Sequence, residues 1–125
     1  MPPTFSEFGQ RIRELREEKR KSDPAFSLRR FALSVGISAA FLSKVEMGES
    51  PPPKAENIKK IAELLGTNAD ELLALAGKVD PDLPEIIREQ PRVMADFLRT
   101  AQANLTEEDI KILTEEIRSG KRSSK

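Results

Sequence analysis

The sequence predicts an all-α protein, and three observations lead to this fold class. Apolar residues recur three and four positions apart through most of the chain, whereas no segment alternates as a strand does. Residues that favour helix N-termini precede these segments, and glycine or proline follows them. The length of 125 residues suggests one domain, or one small domain with an appendage.

The first predicted helix starts near Thr4, because Thr4 and Glu7 have the spacing of a capping box. The segment 21–24 contains a proline and ends it. Its apolar stripe has the i, i+4, i+7 spacing of a buried helix face. The stripe consists of Phe8, Ile12 and Leu15.

Four further helices are predicted before residue 78. Serine at the N-cap begins two of them, at Ser27 and Ser38, and Gly36 ends the first of these two. The fourth helix runs from about Lys54 to Leu65, after a run of three prolines. The fifth covers 69–76 and is capped by Thr67 or Asn68; Gly66 and Gly77 are the stop signals of the fourth and fifth.

The character of the chain changes after residue 78. The segment 80–84 contains two prolines and is typical of a hinge or helix start, and Pro91 interrupts the chain again. Two amphipathic helices follow, the second capped by Thr106. We therefore predict a C-terminal helical segment over 79–118 and a disordered tail over 119–125.

Composition argues against several classes of function. Cysteine and histidine are absent, which removes thiolate and imidazole chemistry, the usual zinc sites and Ser-His or Cys-His nucleophile pairs. No paired carboxylates stand out, so we expect no enzyme activity, no metal and no cofactor. Nothing resembles a membrane span or a signal peptide, and we expect no membrane partner and a cytoplasmic location.

Charge is unevenly distributed although the net charge is zero. Residues 1–54 carry ten basic and seven acidic side chains, whereas 55–125 carry eleven and fourteen. Within 11–30 there are eight basic and four acidic groups. This asymmetry indicates a basic, DNA-facing side, although an ordinary solvated helix surface explains it equally well.

The strongest motif joins the second and third predicted helices. Two helices that cross closely need a small residue at the crossing, which Ala32 supplies. The tight turn needs a residue that tolerates positive φ, which Gly36 supplies, and Ile37 fills the corner. Residues of these types at these offsets are typical of a helix-turn-helix.

Here the sequence resembles the lambda repressor-like, or Xre-type, helix-turn-helix transcriptional regulators. The matching stretches are SLRRFALSVGISAAFLSKVEMGE and IKKIAELLGTNADELLALAG, and the resemblance covers about residues 5–77. It implies a five-helix DNA-binding domain at 1–78, followed by the C-terminal amphipathic helices. It also implies a partly buried, structural ion pair between Arg16 and Glu46.

The resemblance places the start of the third helix in a DNA major groove. The base-facing residues that it implies are Ser38, Ala39, Ala40, Phe41 and Lys44. Small apolar groups can contact thymine methyls, and Lys44 can donate to guanine. Alternatively, Phe41 packs on the domain, Ala39 and Ala40 are only helix formers, and specificity depends on DNA shape. The expected phosphate contacts are Ser27, Arg29, Ser43 and Lys54.

Two features depart from the family pattern. The second helix commonly begins with a glutamine that contacts a phosphate, and Leu28 stands at that position here. The connection over 20–26 is about five residues longer than usual. Its basic part could follow the DNA backbone, and Phe26 could fold back onto the core.

We predict a sequence-specific regulator of transcription that represses by occluding a near-palindromic operator as a homodimer. The C-terminal helices supply the expected dimer surface through Phe97, Leu98, Ile110, Leu113 and Ile117. The alternative is that they pack back on their own domain. A second hypothesis is an antitoxin-like or adaptor protein whose C-terminal helices bind a protein partner. A carboxylate enzyme has no supporting site.

Overall fold

A computed structural model describes residues 5–120, with the side chain of Phe5 left out. These residues form eight α-helices and no strand, which confirms the predicted all-α class. Thr4, part of the predicted capping box, lies outside the described residues. The helices are α1 (Phe5–Arg20), α2 (Leu28–Val35), α3 (Ala39–Glu46), α4 (Ala55–Leu65), α5 (Ala69–Leu75), α6 (Asp82–Glu89), α7 (Pro91–Asn104) and α8 (Glu107–Arg118); a 3-10 helix (Pro24–Phe26) lies between α1 and α2.

Side-chain caps set the starts of α2 and α5 where the sequence predicted them. The hydroxyl of Ser27 accepts the Arg30 N–H at 3.3 Å. Asn68, rather than Thr67, caps α5 and accepts the Glu71 N–H at 2.9 Å. Each cap satisfies an N–H group that the first helical turn leaves without a partner.

The chain divides into two compact units, of which unit 1 ends at Pro81 and unit 2 begins at Asp82. Unit 1 contains α1–α5 around a single hydrophobic core. The residues of that core are less than a tenth exposed and come from all five helices: Phe8, Ile12, Phe31, Ala32, Val35, Leu42, Val45, Ile58, Ile61, Ala62, Leu65, Leu72 and Leu73.

The long connection between α1 and α2 is ordered as a 3-10 helix. Asp23 caps it by accepting the Ala25 N–H at 2.9 Å. Phe26 stacks on Phe31 with ring centroids 5.7 Å apart, and the Lys19 ammonium lies 5.7 Å from the centre of the Phe26 ring. The expectation that Phe26 folds back onto the core is therefore confirmed.

Unit 2 is built differently, because none of its described residues is buried. Its helices α6–α8 are amphipathic, and their apolar side chains remain largely exposed. The Thr106 and Asp109 side chains each accept the other's backbone N–H and so form the predicted cap of α8. Of the predicted tail, Ser119 and Gly120 complete the last turn of α8, and 121–125 lie outside the described residues.

Candidate nucleic-acid interface

The turn between α2 and α3 is a tight glycine elbow. Gly36 adopts a φ of 92°, a left-handed conformation that favours glycine. The N–H groups of Gly36 and Ile37 both donate to the Ala32 carbonyl, at 2.9 and 3.0 Å. Ala32 itself is only 1% exposed. Only residues 36–38 therefore separate the end of α2 from the start of α3.

A close contact between α1 and α3 fixes the last turn of α3. Gly9 lies inside α1, and a Cβ atom built there would be 2.0 Å from the carbonyl oxygen of Val45. It would also be 2.9 Å from the carbonyl oxygen of Glu46. Only a residue without a side chain permits this approach. The glycine itself is the one hint of it in the sequence, since glycine in a helix interior costs about 1 kcal/mol relative to alanine.

Arg16 and Glu46 join the same two helices through their side chains. The Arg16 Nε donates to Glu46 Oε2 at 2.7 Å, and Nη2 donates to Oε1 at 2.9 Å. The hydrogen bonds with Glu46 are the main cause of the raised pKa of Arg16, which holds the guanidinium charged. This is the bidentate geometry that the resemblance implied.

Arg16 makes two further bonds that were not predicted from the sequence. Its Nη1 donates to the Phe26 carbonyl at 2.9 Å, and Nη2 donates to Glu17 Oε2 at 3.0 Å. One guanidinium thus connects α1 with α3 and with the 3-10 helix. No pattern in the sequence indicates a bond to a backbone carbonyl ten residues away.

Three of the residues expected to contact bases are exposed: Ser38, Ala40 and Lys44. We call these three the recognition face. The Ser38 hydroxyl caps α3 by accepting the Phe41 N–H at 3.0 Å. Ala40 and Lys44 are four residues apart and therefore lie on one side of α3. Among residues 5–120, no hydrogen bond or ion pair engages the Lys44 ammonium, so it can reach a ligand.

The other two expected base contacts, Ala39 and Phe41, are only partly exposed. Both pack against the core of unit 1. This contact favours the packing interpretation of Phe41 that the sequence left open. A base contact by either residue would use only the part of the side chain that remains accessible.

The expected phosphate contacts lie on three elements. Ser27 is partly buried at the start of α2, and Arg29 follows it with an exposed side chain. The Ser43 hydroxyl lies 3.9 Å from the Met47 sulfur. The Lys54 ammonium is 3.4 Å from Glu56 Oε2, and both side chains are largely exposed. An exposed pair of this kind is worth little and exchanges readily for a phosphate.

A short helix presented after a glycine elbow and braced from behind by a buried ion pair defines a helix-turn-helix DNA-binding domain. The model of a family described as a helix-turn-helix domain matches residues 9–78, more than half of the chain. The chain therefore belongs to this family. The resemblance to Xre-type regulators, noted from the sequence, is confirmed.

Two curated relatives from Bacillus subtilis (strain 168) are similar to this chain. An uncharacterized HTH-type transcriptional regulator, RghRB, is 39% identical over 85 residues, which are 68% of this chain and 57% of that protein. The HTH-type transcriptional repressor RghR is 36% identical over 73 residues, or 58% of this chain and 50% of that protein. The chain thus aligns with only about half the length of either relative. No solved structure gives a significant match.

Neither a metal centre nor a membrane span is found in the part of the chain that the structure describes. Residues 5–120 contain no group of three or more acidic side chains placed to hold a metal ion. No helix in the same range is both long enough and apolar enough to cross a bilayer.

Proposed function

We propose that this protein is a sequence-specific, double-stranded DNA-binding repressor of transcription that acts in the cytoplasm as a homodimer. The observation that carries the proposal is the recognition face, which begins at Ser38 directly after the elbow at Gly36 and continues along the exposed side of α3 to Lys44. An α-helix is about as wide as the major groove, and the N-terminal side chains of a recognition helix reach base edges there.

The recognition face suits a mixed polar and apolar readout. Lys44 can donate to guanine O6 and N7, and the Ala40 methyl can contact a thymine methyl. Ala40 also lets the helix backbone approach the base edges closely because it has no long side chain. This is how a helix start with almost no polar groups can still distinguish base pairs.

Phosphate contacts would hold the domain in register on the duplex. Arg29 is the best side-chain candidate for a phosphate contact, since it is exposed at the start of α2 and no described residue pairs with it. The N-termini of α2 and α3 add backbone N–H groups, which favour anions such as phosphate. Ser27, Ser43 and Lys54 complete the proposed set.

A homodimer is part of the proposal because one helix reads too few base pairs to select a genomic site. Unit 2 supports this role, since apolar residues of α7 and α8 line a groove of about 390 Å³. A helical segment without buried residues gains a core by packing its apolar side against another surface, and a second copy supplies one. The groove includes the five residues expected to dimerise: Phe97, Leu98, Ile110, Leu113 and Ile117.

The descriptions of the two relatives support regulation as the biological role. RghR is described as a transcriptional repressor, and RghRB as a transcriptional regulator. The mechanism that we propose is occlusion of a promoter by the bound dimer.

The same groove supports a second candidate function. Phe97 and Ile117 are 50% and 57% exposed, and an amphipathic helix of another protein could cover them as well as a second copy could. In that case unit 2 would hold a protein partner, as in an antitoxin-like or adaptor protein, and DNA binding would be secondary. The mass of the purified chain separates the two candidates.

Light scattering on the full chain tests the dimer. We expect the mass of two chains, and we expect Phe97→Glu or Ile117→Glu to give one chain because a carboxylate in the groove opposes burial. Ile112→Glu is the matched control, because Ile112 is 51% exposed on α8 but does not line the groove. A wild-type monomer that captures a different protein tightly would favour the second candidate.

Selection of bound sequences from random duplexes tests DNA recognition. We expect an inverted repeat whose half-sites lie about one helical turn apart. We also expect affinity that falls steeply with salt, because basic side chains displace counterions. Recovery of no enriched sequence at low ionic strength would contradict sequence-specific binding.

A further inference from the structure

One face of α1 carries four residues that share a helical stripe. Gly9, Arg13, Arg16 and Arg20 are separated by four, three and four positions, so their side chains lie above one another. Gly9 and Arg16 both contact the last turn of α3, through its backbone and through Glu46. Arg13 and Arg20 therefore face the flank of α3 as well.

Arg13 and Arg20 line one open recess with residues of α2 and α3. We call it the arginine recess, and its volume is about 270 Å³. Ser43 contributes from α3 and stands next to Lys44 of the recognition face. The recess thus borders the surface that would enter the groove. Its remaining lining comes from Arg16, Glu17, Leu28, Glu46 and Met47.

The charges of this recess are only partly compensated. Arg16 is neutralised by Glu46, with both side chains at most 4% exposed. Arg20 is 54% exposed and reaches Glu17 only at 3.5 Å, and Glu17 already accepts from Arg16. Arg13 is exposed, and no hydrogen bond or ion pair engages it among the described residues. The recess therefore carries positive charge that is available to an anion.

The wall opposite α1 is mainly apolar, and its one acidic side chain, Glu46, is buried against Arg16. α2 begins at Leu28, whose side chain cannot donate a hydrogen bond, and Met47 is 59% exposed and apolar. Ser43 supplies a hydroxyl donor, held near the Met47 sulfur at 3.9 Å. Two guanidinium groups from α1 and one hydroxyl from α3 line the recess, and these donors suit a tetrahedral anion.

We propose that Arg13 and Arg20, with the Ser43 hydroxyl, bind a phosphate of the DNA backbone on the flank of the groove that α3 occupies. The proposal rests on the proposed DNA-binding function and adds α1 to the interface. A helix that fills the groove brings its flanks next to the phosphates on either side. The two arginines would position the domain without reading bases.

The test is a salt titration of duplex binding by Arg13→Gln, Arg20→Gln and the double variant of the full chain. The duplexes are one sequence recovered by selection and one random sequence of equal length. Because the proposed site holds one phosphate, we expect the slope of log affinity against log salt to become less steep by about 1 per bound protomer in the double variant. We also expect the affinity for both duplexes to fall by the same factor, because a phosphate contact carries no base information.

Arg11→Gln is the matched control, since Arg11 is exposed on α1 but does not line the recess. The double exchange to lysine keeps both charges and should restore most of the slope. Equal slopes for the double glutamine variant and the control would overturn the inference, as would weaker binding confined to the selected sequence. In either case wild-type binding would leave the proposed function standing. Failure of the wild-type chain to bind any duplex would instead overturn the proposed function itself.

Discussion

Arg16 and Glu46 are separated by 30 residues in the chain and meet through two parallel hydrogen bonds of 2.7 and 2.9 Å. Both side chains are almost completely withdrawn from solvent. The pair fixes the end of α3 against the C-terminal part of α1. Because α3 carries the recognition face, the pair also fixes the angle at which that face is presented.

Replacement of Glu46 by alanine should destabilise the fold by about 3–5 kcal/mol, because the buried Arg16 charge loses its buried partner and keeps only the partly exposed Glu17 carboxylate. Urea unfolding followed by circular dichroism measures the change. Glu49→Ala is the control, since Glu49 is exposed on the following turn. An unfolding midpoint equal to that of the control variant would show that the pair does not support the fold.

Gly9→Ala should destabilise unit 1, although the same exchange in an ordinary helix is stabilising by about 1 kcal/mol. The new methyl group would lie 2.0 Å from the Val45 carbonyl oxygen, so α1 and α3 must separate. Overpacking of this kind costs about 1–3 kcal/mol. The measurement is the change in the free energy of unfolding, and its sign tests the prediction. Gln10→Ala is the control, because Gln10 is exposed on α1. A more stable Gly9→Ala variant would contradict the close contact.

Lys44→Ala should lose discrimination at one base position in each half-site, by about 1–3 kcal/mol. Arg29→Ala should instead weaken binding to all sequences alike, because a phosphate contact carries no base information. Competition binding with a set of single-base operator variants measures both effects. If Lys44→Ala weakened every duplex equally, Lys44 would be a phosphate contact rather than a base contact.

The start of α8 should respond to acid through Asp109. Its carboxylate accepts the Thr106 N–H at 3.0 Å, which lowers the pKa of Asp109. Because the pKa is lowered in the folded state, the ionised Asp109 contributes its full stabilisation of the fold above the ordinary aspartate pKa of about 3.9. This stabilisation is lost as the pH falls through the lowered pKa. An NMR titration of the Asp109 carboxyl should give a midpoint below the ordinary value. A midpoint at or above that value would exclude the reciprocal cap.

Local chemistry explains why the helices could be predicted from the sequence. Ser27, Ser38 and Thr106 each cap the helix that they were predicted to cap. A cap can be predicted because its hydroxyl binds an N–H group only three residues further along the chain. Gly36 and Gly66 both adopt positive φ at the predicted stops. These features need no knowledge of the rest of the chain.

Contacts between distant segments were harder to foresee. The approach of Gly9 to Val45 and the bond from Arg16 to the Phe26 carbonyl depend on how α1 lies against other elements. The 3-10 helix had local signals, since Asp23 precedes Pro24 as a cap precedes a first helical residue. For the recognition face, the family pattern supplied the positions, and the structure added which of them are exposed.

The central claim is that the surface beginning at Ser38 enters the groove, and NMR of the full chain with a selected duplex tests it most directly. The protein has a mass of 14.0 kDa, which suits backbone amide spectra with and without DNA. We expect the largest shift changes at 38–44 and at Arg29, with little change at the exposed Lys60 and Glu63 of α4. Large changes on α4 with none at 38–44 would contradict the account.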